Sequence, residues 1–516
     1  FRIIENLRCM ISVIYRNVNV REIDMNTLII DIGTSSMRGI LYDEAGRNLS
    51  SAQLKYEPVK KACGWVEQPR GQWEAYTVKI CEKINNEAVQ INEKIDAIAV
   101  TAQRSSVIPV DITGTPLMDT VMWQDTRNSD ICRRLEKYNQ ILIRKSGAKI
   151  NTVFSGSRMT WIKENCPDIY KDVYKFLSIP EFIMHKMTGS YLTDHTYGSR
   201  TNLMNLRERA WDEELLDIFG IRREQLCDLL KPGSMVGKVT AEFSADTGIT
   251  VGTPVISAGG DQQCAAVGQG AFVPGTASIV TGTGGFLVAA VEKVPEQLSE
   301  NMICNCAAVN DKYIIEANVL TCCSAFDWFC HTFYDWADGV IDYRRINREL
   351  EKSSLEKVGE ILILPYFQGR STPDWNPDSR AVFEGIALKH TRVEILQSLV
   401  EGIFLEIANN LEEFEKYCPI EKAYISGGLT NSRVMNQMQA DIYGLKLYHM
   451  EDSESTALGA LMTVLTEMGV YSSVEEAFHI IRGAENTQVF KPRMTRFEEY
   501  QKKKGKMQEL YQKIYR

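Results

Sequence analysis

Histidine is scarce in this chain, and the short motifs of several large enzyme classes are missing. Only six of the 516 residues are histidine, and neither His-Glu-x-x-His nor Cys-x-x-Cys occurs. These absences argue against a zinc enzyme. The patterns Gly-x-x-x-x-Gly-Lys-Ser/Thr and His-Arg-Asp are missing too, which excludes the P-loop proteins and the protein kinases.

Long hydrophobic runs and an excess of positive charge are missing as well. No apolar run reaches the roughly 18 residues that a membrane span needs. The formal net charge of −9 argues against a broad surface for nucleic acid or for an anionic membrane. We therefore expect small-molecule partners, with no nucleic acid and no membrane among them. Because 516 residues are many for one hydrophobic core, we also expect two large domains.

Cysteine is abundant, with thirteen residues. The close pairs Cys304/Cys306 and Cys322/Cys323 lie in apolar, strand-like surroundings, without a histidine at a zinc spacing. We therefore interpret the cysteines as reduced core residues of a cytoplasmic protein, with metal ligands or disulfides as the alternative.

The segment from Thr27 to Tyr42 combines a strand, a small turn and a second strand. An aliphatic run leads into Asp31, and Gly33 and three hydroxyl residues follow. Such a turn can bind phosphate through backbone N–H groups, and a Mg²⁺ ion would prevent repulsion between that phosphate and Asp31. The alternative is an ordinary hairpin with a surface aspartate.

The second half of the chain repeats this plan. The strand from Pro254 runs through two glycines into Asp261, where the alternative role is a helix N-cap. Residues 278–288 again read as strand, Gly/Thr turn and strand, about 250 residues after the first copy. We infer two halves built on the same core, with their phosphate turns facing each other.

Further polar residues follow other predicted strands. Arg104 comes after the strand 95–101, where ligands of open α/β sheets gather, and its alternative role is a structural salt bridge. Trp123 is either a ligand platform or a core residue. A strand at 424–427 enters a glycine turn, and the small residues of the predicted helix 454–468 suit close packing near a bound base.

These motifs, in this order, resemble the FGGY family of carbohydrate kinases. The matching segments are Asp-x-Gly-Thr-Ser-Ser-x-Arg from Asp31, Gly-Gly-Asp ending at Asp261, Gly-Thr-Gly from Gly282, Ser-Gly-Gly from Ser426 and Ala-Leu-Gly-Ala from Ala457. The resemblance implies an α/β, two-domain actin/hexokinase-like (ribonuclease H-like) fold with a cleft between the domains. It also implies transfer of the ATP γ-phosphate, with Mg²⁺, to a hydroxyl of a small sugar or polyol.

The resemblance implies a role for each matching residue. Asp261 would be the catalytic base, and Asp31 together with Asp261 would hold the metal. The implied sugar ligands are Arg104, Ser105, Trp123, Asp125, Asp261 and Gln262. The implied ATP ligands are Thr34, Ser35, Ser36 and Arg38 in the first phosphate loop, Gly282 and Thr283 in the second, and Gly427, Gly428 and Ser432 in the adenosine motif.

Three positions depart from the family pattern. Ser105 stands where the glycerol kinases have Glu, Val153 where they have Tyr, and Arg158 where many members have Lys. Because the first two changes remove hydrogen-bonding groups, we expect a pentulose such as xylulose, or a related ketose or polyol, to be a better substrate than glycerol. A glycerol kinase and a non-catalytic sugar-binding regulator of the same fold are the alternatives.

The predicted domain organisation has four parts. Residues 1–24 would be an extension outside the fold, with the functional chain beginning near Met25. Residues 25–256 would carry the sugar site and the first phosphate loop, and residues 257–495 the catalytic aspartate and the nucleotide site. Residues 496–516 would form a charged helical tail with a solvated face. The oligomeric state is open, and a homodimer is one candidate.

Overall fold

The computed structural model describes residues 25–336, 339–354, 357–450, 454–483 and 487–516. The predicted extension of residues 1–24 lies outside the described residues.

Strands and helices alternate in the first half of the chain. The strands are β1 (Thr27–Ile32), β2 (Ser36–Tyr42), β3 (Asn48–Lys55), β4 (Val59–Lys60), β5 (Val66–Gln68), β6 (Ala97–Ala102), β7 (Ile108–Val110), β8 (Thr120–Val121), β9 (Lys175–Leu177), β10 (Leu192–Asp194), β11 (Met204–Asn205), β12 (Ala210–Trp211), β13 (Asp228–Leu230), β14 (Met235–Lys238) and β15 (Pro254–Gly260). The helices are α1 (Gln72–Gln90), α2 (Ser129–Leu135), α3 (Asn139–Ser146), α4 (Ser155–Asn165), α5 (Pro167–Tyr170), α6 (Ile179–Thr188), α7 (His195–Gly198), α8 (Glu213–Phe219), α9 (Ala241–Thr247) and α10 (Asp261–Gly268), with 3₁₀ turns at Glu136–Tyr138 and Arg223–Gln225.

The second half is richer in long helices. Its strands are β16 (Thr276–Thr281), β17 (Gly285–Val291), β18 (Ile303–Cys306), β19 (Tyr313–Val319), β20 (Leu362–Leu364), β21 (Val382–Glu384), β22 (Lys422–Gly427), β23 (Lys446–Met450) and β24 (Thr487–Phe490). Its helices are α11 (Cys323–Phe333), α12 (Tyr343–Ser354), α13 (Arg392–Glu415), α14 (Arg433–Tyr443), α15 (Ser455–Glu467), α16 (Val474–Arg482) and α17 (Met494–Tyr515), with a 3₁₀ turn at Gly428–Asn431.

The first large sheet has six strands in the order β14-β15-β6-β1-β2-β3. Its centre is parallel, because β6 pairs with both β1 and β15 in that direction. All residues of β1 and β6 are buried, which explains why both are continuous apolar runs. Asp31 and Gly259 both lie opposite Thr101 in the register. The carboxyl ends of three strands therefore meet at one edge of the sheet.

The second large sheet has seven strands in the order β18-β19-β17-β16-β22-β23-β24. Its antiparallel series β16, β17 and β19 repeats β1, β2 and β3, and its parallel strands β22 and β23 repeat β6 and β15. This repeated order confirms two predictions from the sequence: that the two halves are built on the same core, and that the protein has the two-domain actin/hexokinase-like fold.

Helices α10 and α15 cross where the two halves join. A Cβ atom on Gly268 would lie 1.9 Å from the Ser455 carbonyl oxygen, and one on Gly459 would lie 1.8 Å from that of Cys264. Only glycine allows the two backbones to approach this closely. Other small residues of α15 pack against strands of the first sheet in one apolar cluster. The interpretation of these small residues as neighbours of a bound base is therefore wrong, because they form contacts between elements of the protein.

Strand β15 runs across the predicted boundary between residues 256 and 257. The strand is hydrogen-bonded into the first sheet, and α10 follows it directly. Asp261 therefore lies where the two halves meet.

The C-terminal segment forms a helix, α17, as predicted, but one face of this helix is buried. Lys503 is 5% exposed, and its Nζ donates to Glu401 Oε2 at 2.6 Å and to the Gly359 carbonyl at 2.9 Å. Leu510 and Tyr511 join the large core of the second half. The predicted solvated tail is wrong in this respect, because buried partners neutralise charges that looked like surface residues. Among the described residues, no helix has both the length and the apolarity needed to cross a membrane.

Candidate active site

Two carboxylates and an arginine meet at the carboxyl edge of the first sheet. Asp31 is the last residue but one of β1, Arg104 follows β6, and Asp261 follows β15. The Arg104 Nε atom lies 3.4 Å from Asp261 Oδ1, and about a quarter of the Asp261 side chain is exposed. The structure therefore brings three sequence-predicted residues together in one solvent-reachable site.

The Asp261 carboxylate is poised to accept a proton near neutral pH. Burial raises its pKa to about 6, Arg104 opposes this rise, and the charges of Asp31 and Glu316 add to it. A base with a pKa near the working pH combines a largely ionised state with useful proton affinity. Asp261 is also the first residue of α10, and its Oδ1 accepts the Gln262 backbone N–H at 2.7 Å. The alternative role of Asp261 as a helix N-cap is wrong, because Gly260 is the N-cap residue and Asp261 lies within the first turn.

A buried segment around the short helix α7 supports the end of β15. Tyr197 donates its hydroxyl hydrogen to the Gly259 carbonyl at 2.8 Å, and Thr196 Oγ1 accepts the Gly260 backbone N–H at 2.8 Å. Asp194 caps this helix and accepts the Ser257 hydroxyl. These contacts hold the backbone immediately before Asp261.

The first phosphate loop is small and partly exposed. The Gly33 backbone N–H closes the turn onto the Ser36 carbonyl at 2.9 Å. Thr34 Oγ1 accepts the Trp123 indole N–H at 3.1 Å, so Trp123 connects this loop with the sugar side. Ser35 is exposed at the tip. The loop can therefore present polar groups to a ligand.

Asp31 has a partner in the protein before any ligand binds. Arg38 Nη2 lies 2.5 Å from Asp31 Oδ2. Burial nevertheless raises the pKa of Asp31, and the attraction of Arg38 lowers it. No group of three or more His, Cys, Asp or Glu ligands occurs among the described residues. Mg²⁺ in kinases needs only one or two carboxylates, completed by phosphate oxygens and waters. Asp31 and Asp261 fit that requirement.

The second phosphate loop and the adenosine motif lie side by side. Thr281 and Gly427 are register partners of the parallel strands β16 and β22, and Thr283 is exposed beyond them. Gly427 has φ +98°, and a Cβ on it would lie 2.4 Å from the Thr281 carbonyl oxygen. Gly428 is exposed beside it. This surface therefore consists of backbone that a flat ligand can approach closely.

The Ser432 side chain is used at the start of α14. Its hydroxyl oxygen accepts the Met435 backbone N–H at 3.5 Å, and the residue is 5% exposed. A helix cap accounts for this serine without a ligand.

The surroundings of Arg104, a predicted sugar ligand, contain acidic and amide groups that the sequence did not point to. Glu316 accepts Arg104 Nη1 at 2.6 Å and Asn305 Nδ2 at 2.8 Å. Phe286 is 46% exposed and lies two residues before Val288, the register partner of Glu316. Alternate residues of a strand share a face, so the Phe286 ring and the Glu316 carboxylate face the same side. Sequence reasoning missed both, because each resembles an ordinary strand residue.

Ser105 and Asp125 face the protein interior. Ser105 is 4% exposed with φ +74°, and its hydroxyl donates to the Arg200 carbonyl at 3.4 Å. Asp125 is fully buried and accepts Arg127 Nε at 2.8 Å and the Val66 backbone N–H at 2.6 Å. This ion pair accounts for Asp125 without a ligand. Gln262, in contrast, is partly exposed next to Asp261.

Arg158 connects the backbone segments of the sugar side. Its guanidinium is completely buried and donates to four carbonyls, those of Ser105 at 3.2 Å, Val153 at 2.7 Å, Asp125 at 3.2 Å and Trp123. Burial lowers the pKa of Arg158 to about 10. A planar guanidinium has five donors and can hold several carbonyls at once, which an ammonium group does less well.

Comparison with known proteins agrees with this arrangement. The model of the FGGY family of carbohydrate kinases matches residues 26–268 with its N-terminal domain and residues 277–468 with its C-terminal domain. A glycerol kinase of Thermococcus onnurineus is 29% identical over 464 residues, covering 88% of this chain and 91% of the relative.

Two solved structures are also similar. The crystal structure of Plasmodium falciparum glycerol kinase with ADP aligns with a TM-score of 0.86 and 26% identity, covering 94% of this chain and 98% of that one. The ligand-bound xylulose kinase of Lactobacillus acidophilus aligns with a TM-score of 0.87 and 22% identity, covering 95% and 98%. At that lower identity the second likeness concerns the fold alone.

Proposed function

The chain belongs to the FGGY family of carbohydrate kinases, and from that premise we propose that it phosphorylates a pentulose such as xylulose, or a related ketose or polyol. Members of this family are phosphotransferases that act on hydroxyl groups and use ATP. The identity of the acceptor and the need for Mg²⁺ are part of the proposal. A cytoplasmic location and the homodimer remain predictions from the sequence.

The single observation that carries the proposal is the environment of Asp261. Its carboxylate is partly exposed, has a pKa raised to about 6 by burial, and is oriented by Arg104. In the proposed reaction Asp261 removes the proton of the acceptor hydroxyl while Arg104 holds a neighbouring oxygen of the sugar. Arg104 is itself fixed by Glu316, so its donors are positioned before the sugar arrives.

The phosphate-transfer side is divided between the two halves. The loops at Thr34 and at Thr283 would bind phosphate oxygens, and the exposed turn Gly427–Gly428 would lie against the adenosine. Asp31 and Asp261 are the residues that would hold Mg²⁺. When bound, this ion neutralises charge on the phosphates during transfer. Closing the cleft over both ligands would exclude water from the site.

The proposed preference for a ketose rests on Ser105 and Val153. The Ser105 hydroxyl faces a backbone carbonyl, and the Val153 side chain has no polar group. Neither side chain offers a hydrogen bond to a short polyol, and each unmatched buried polar group costs about 1–3 kcal/mol. Two such mismatches would lower kcat/KM for glycerol by about 10²-fold or more.

Glycerol phosphorylation is the second candidate function. It is favoured by the curated relative, a glycerol kinase that is 29% identical and covers most of both chains. A non-catalytic sugar-binding regulator is the third. The presence of both Asp31 and Asp261 in one site argues against it.

An ADP-release assay over glycerol, polyols, pentuloses, hexuloses and aldonates tests the proposal. We expect a pentulose or related ketose to give the highest kcat/KM, and Asp261→Asn to abolish that activity. Glycerol as the best acceptor would establish the second candidate instead. If the wild-type protein bound sugar but released no ADP with any acceptor, it would be a regulator.

A further inference from the structure

Arg200 is a second buried arginine beside the sugar site. It is 5% exposed, and its guanidinium carbon lies 4.5 Å from the centre of the Phe154 ring. Its Nη1 lies 3.5 Å from Glu316 Oε2, whereas Arg104 Nη1 contacts Oε1 of the same carboxylate at 2.6 Å. Arg104 Nη2 also lies 3.4 Å from Oε2, so the two arginines share this oxygen of Glu316.

The donors of Arg200 are not satisfied by the described part of the protein. Its Nε and Nη1 atoms are buried and have no hydrogen-bond partner there. Burial and the charge of Arg104 lower its pKa to about 10. A buried N–H donor on a charged group destabilises the protein when it makes no hydrogen bond. The Nε atom of Arg158 is likewise buried without a hydrogen-bond partner in the described part, but both of its Nη atoms donate to carbonyls.

A buried water in the neighbouring cavity does not account for these donors. That cavity has a volume of about 20 Å³ and is lined by residues that include Ser105, Tyr197 and Thr201. This is room for about one water molecule. Arg200 is not among the residues that line it.

An acceptor without a partner lies on the same carboxylate. Asn305 is fully buried, its Nδ2 donates to Glu316 Oε1 at 2.8 Å, and its Oδ1 has no partner among the described residues. Unsatisfied donors on Arg200 and an unsatisfied acceptor on Asn305 thus flank Glu316. A hydroxyl group both donates and accepts, so it matches this pair, whereas a carboxylate would only accept.

We propose that Arg200 and Asn305 form a distal subsite for a hydroxyl of the sugar chain, beyond the part of the acceptor that Arg104 and Asp261 hold. This subsite makes Arg200 a specificity-determining residue for acceptors longer than three carbons. The inference rests on the proposed sugar kinase function and names the feature of the acceptor that this half of the site recognises.

The contacts of the network agree with this placement. From Asp261 through Arg104 and Glu316 to Arg200, the exposed fraction of the side chain is 25%, 10%, 15% and 6%, so Arg200 is the least exposed member. Arg200 therefore lies at the inner end of a polar series that begins in the cleft. Its face on Phe154 is covered, so a ligand would meet the in-plane N–H groups.

The test compares Arg200→Gln and Arg200→Lys with Arg207→Gln. Arg207 is an exposed arginine whose Nη atoms donate to the carbonyls of Arg144 and Pro295, so its variant serves as the control. The readout is kcat/KM for glycerol, a tetrulose and a pentulose, together with KM for ATP and the Tm of each variant. Arg200→Lys keeps the positive charge beside Glu316 and guards against loss of folding in Arg200→Gln.

We expect Arg200→Gln to lower kcat/KM for the pentulose by about 10–100-fold, since a hydrogen bond to a charged group contributes about 1.5–3 kcal/mol. Glycerol should lose less than about threefold on the same scale, KM for ATP should stay unchanged, and Arg200→Lys should show the same order with a smaller loss. Equal losses for all chain lengths in both variants would overturn the subsite and leave Arg200 a structural residue.

Direct binding separates this inference from the proposed function. Calorimetry with the pentulose and with glycerol measures the subsite without turnover. If the wild-type protein binds the pentulose but transfers no phosphate, the proposed function fails and the effect of Arg200→Gln on affinity still decides the subsite. If pentulose affinity is the same in wild type and Arg200→Gln, the subsite is refuted whatever the activity. A wild-type protein that binds no pentulose refutes both.

Discussion

The two halves repeat one strand order, yet they form their parts of the site in different ways. On the first sheet the candidate residues are charged side chains fixed by other side chains, as Arg104 is by Glu316 and Asp31 by Arg38. On the second sheet the candidate surface is backbone, shaped by Gly427 and Gly428. Under the proposed function, sugar recognition would depend on ion pairs, whereas nucleotide recognition would depend on close approach to the main chain.

The largest effect should come from the carboxylate where the halves meet. Asp261→Asn keeps the shape of the side chain and removes its basicity, so kcat should fall by about 10²–10⁴-fold. Binding of ATP, measured by calorimetry, should persist because the proposed nucleotide surface is on the second sheet. A variant retaining more than about a tenth of the wild-type kcat would show that Asp261 is not the base.

A substitution at Gly427 tests whether ATP binding in the second half depends on close approach to the backbone. Gly427→Ala would put a Cβ 2.4 Å from the Thr281 carbonyl oxygen at a φ of +98°, and KM for ATP should rise by about 10–100-fold, for a strain of about 1–3 kcal/mol. The affinity for sugar should stay unchanged. Gly252→Ala is the matched control, because its φ is +89° but nothing lies within 4 Å of the added Cβ. Equal effects of the two variants on KM for ATP would contradict this assignment.

A substitution at Arg158 tests whether sugar binding in the first half depends on a particular side chain. Arg158→Lys keeps the charge but cannot hold four carbonyls in one plane, so the loops carrying Trp123 and Ser105 should shift. We expect KM for the sugar to rise by about tenfold, consistent with loss of about 1.4 kcal/mol. KM for ATP should not change. A fall in Tm with an unchanged KM for the sugar would show that Arg158 stabilises the fold without positioning the sugar loops.

The smallest expected effect is a dependence of kcat/KM on pH that arises from Asp261. Because the pKa of Asp261 is raised to about 6, the ionised base is lost as the pH falls through this value. The kcat/KM at pH 5 should be about tenfold below its plateau above pH 7. Activity regained after return from pH 5 to pH 7.5 would exclude acid inactivation. A profile that stays flat between pH 5 and 7 would contradict titration of Asp261.

Part of the site could be predicted because its signals are local. A strand that ends on Asp31 or Asp261, followed or preceded by glycine, is visible in a dozen residues. The repeat of that plan predicted two similar halves. Such features depend on periodicity and on residues that few other conformations accept.

Other parts could not be predicted because they depend on partners far along the chain. Glu316 is 212 residues from Arg104, and nothing in its own strand distinguishes it from a surface glutamate. Lys503 looked solvated until Glu401, 102 residues away, was found beside it. In both cases the burial of one charge is tolerable only through the other.

The sequence by itself determined the alternation of strands and helices, the two-domain fold, and the positions of Asp31, Asp261 and the glycine turns. Only the tertiary structure decided which side chains surround the proposed sugar site: it paired Asp125 with Arg127, brought Glu316 to Arg104, and left Arg200 Nε without a hydrogen-bond partner among the described residues. The physical reason is that local backbone preferences are encoded within a few neighbouring residues. The pairing of a buried charge, in contrast, depends on which distant strands the fold brings to the same edge.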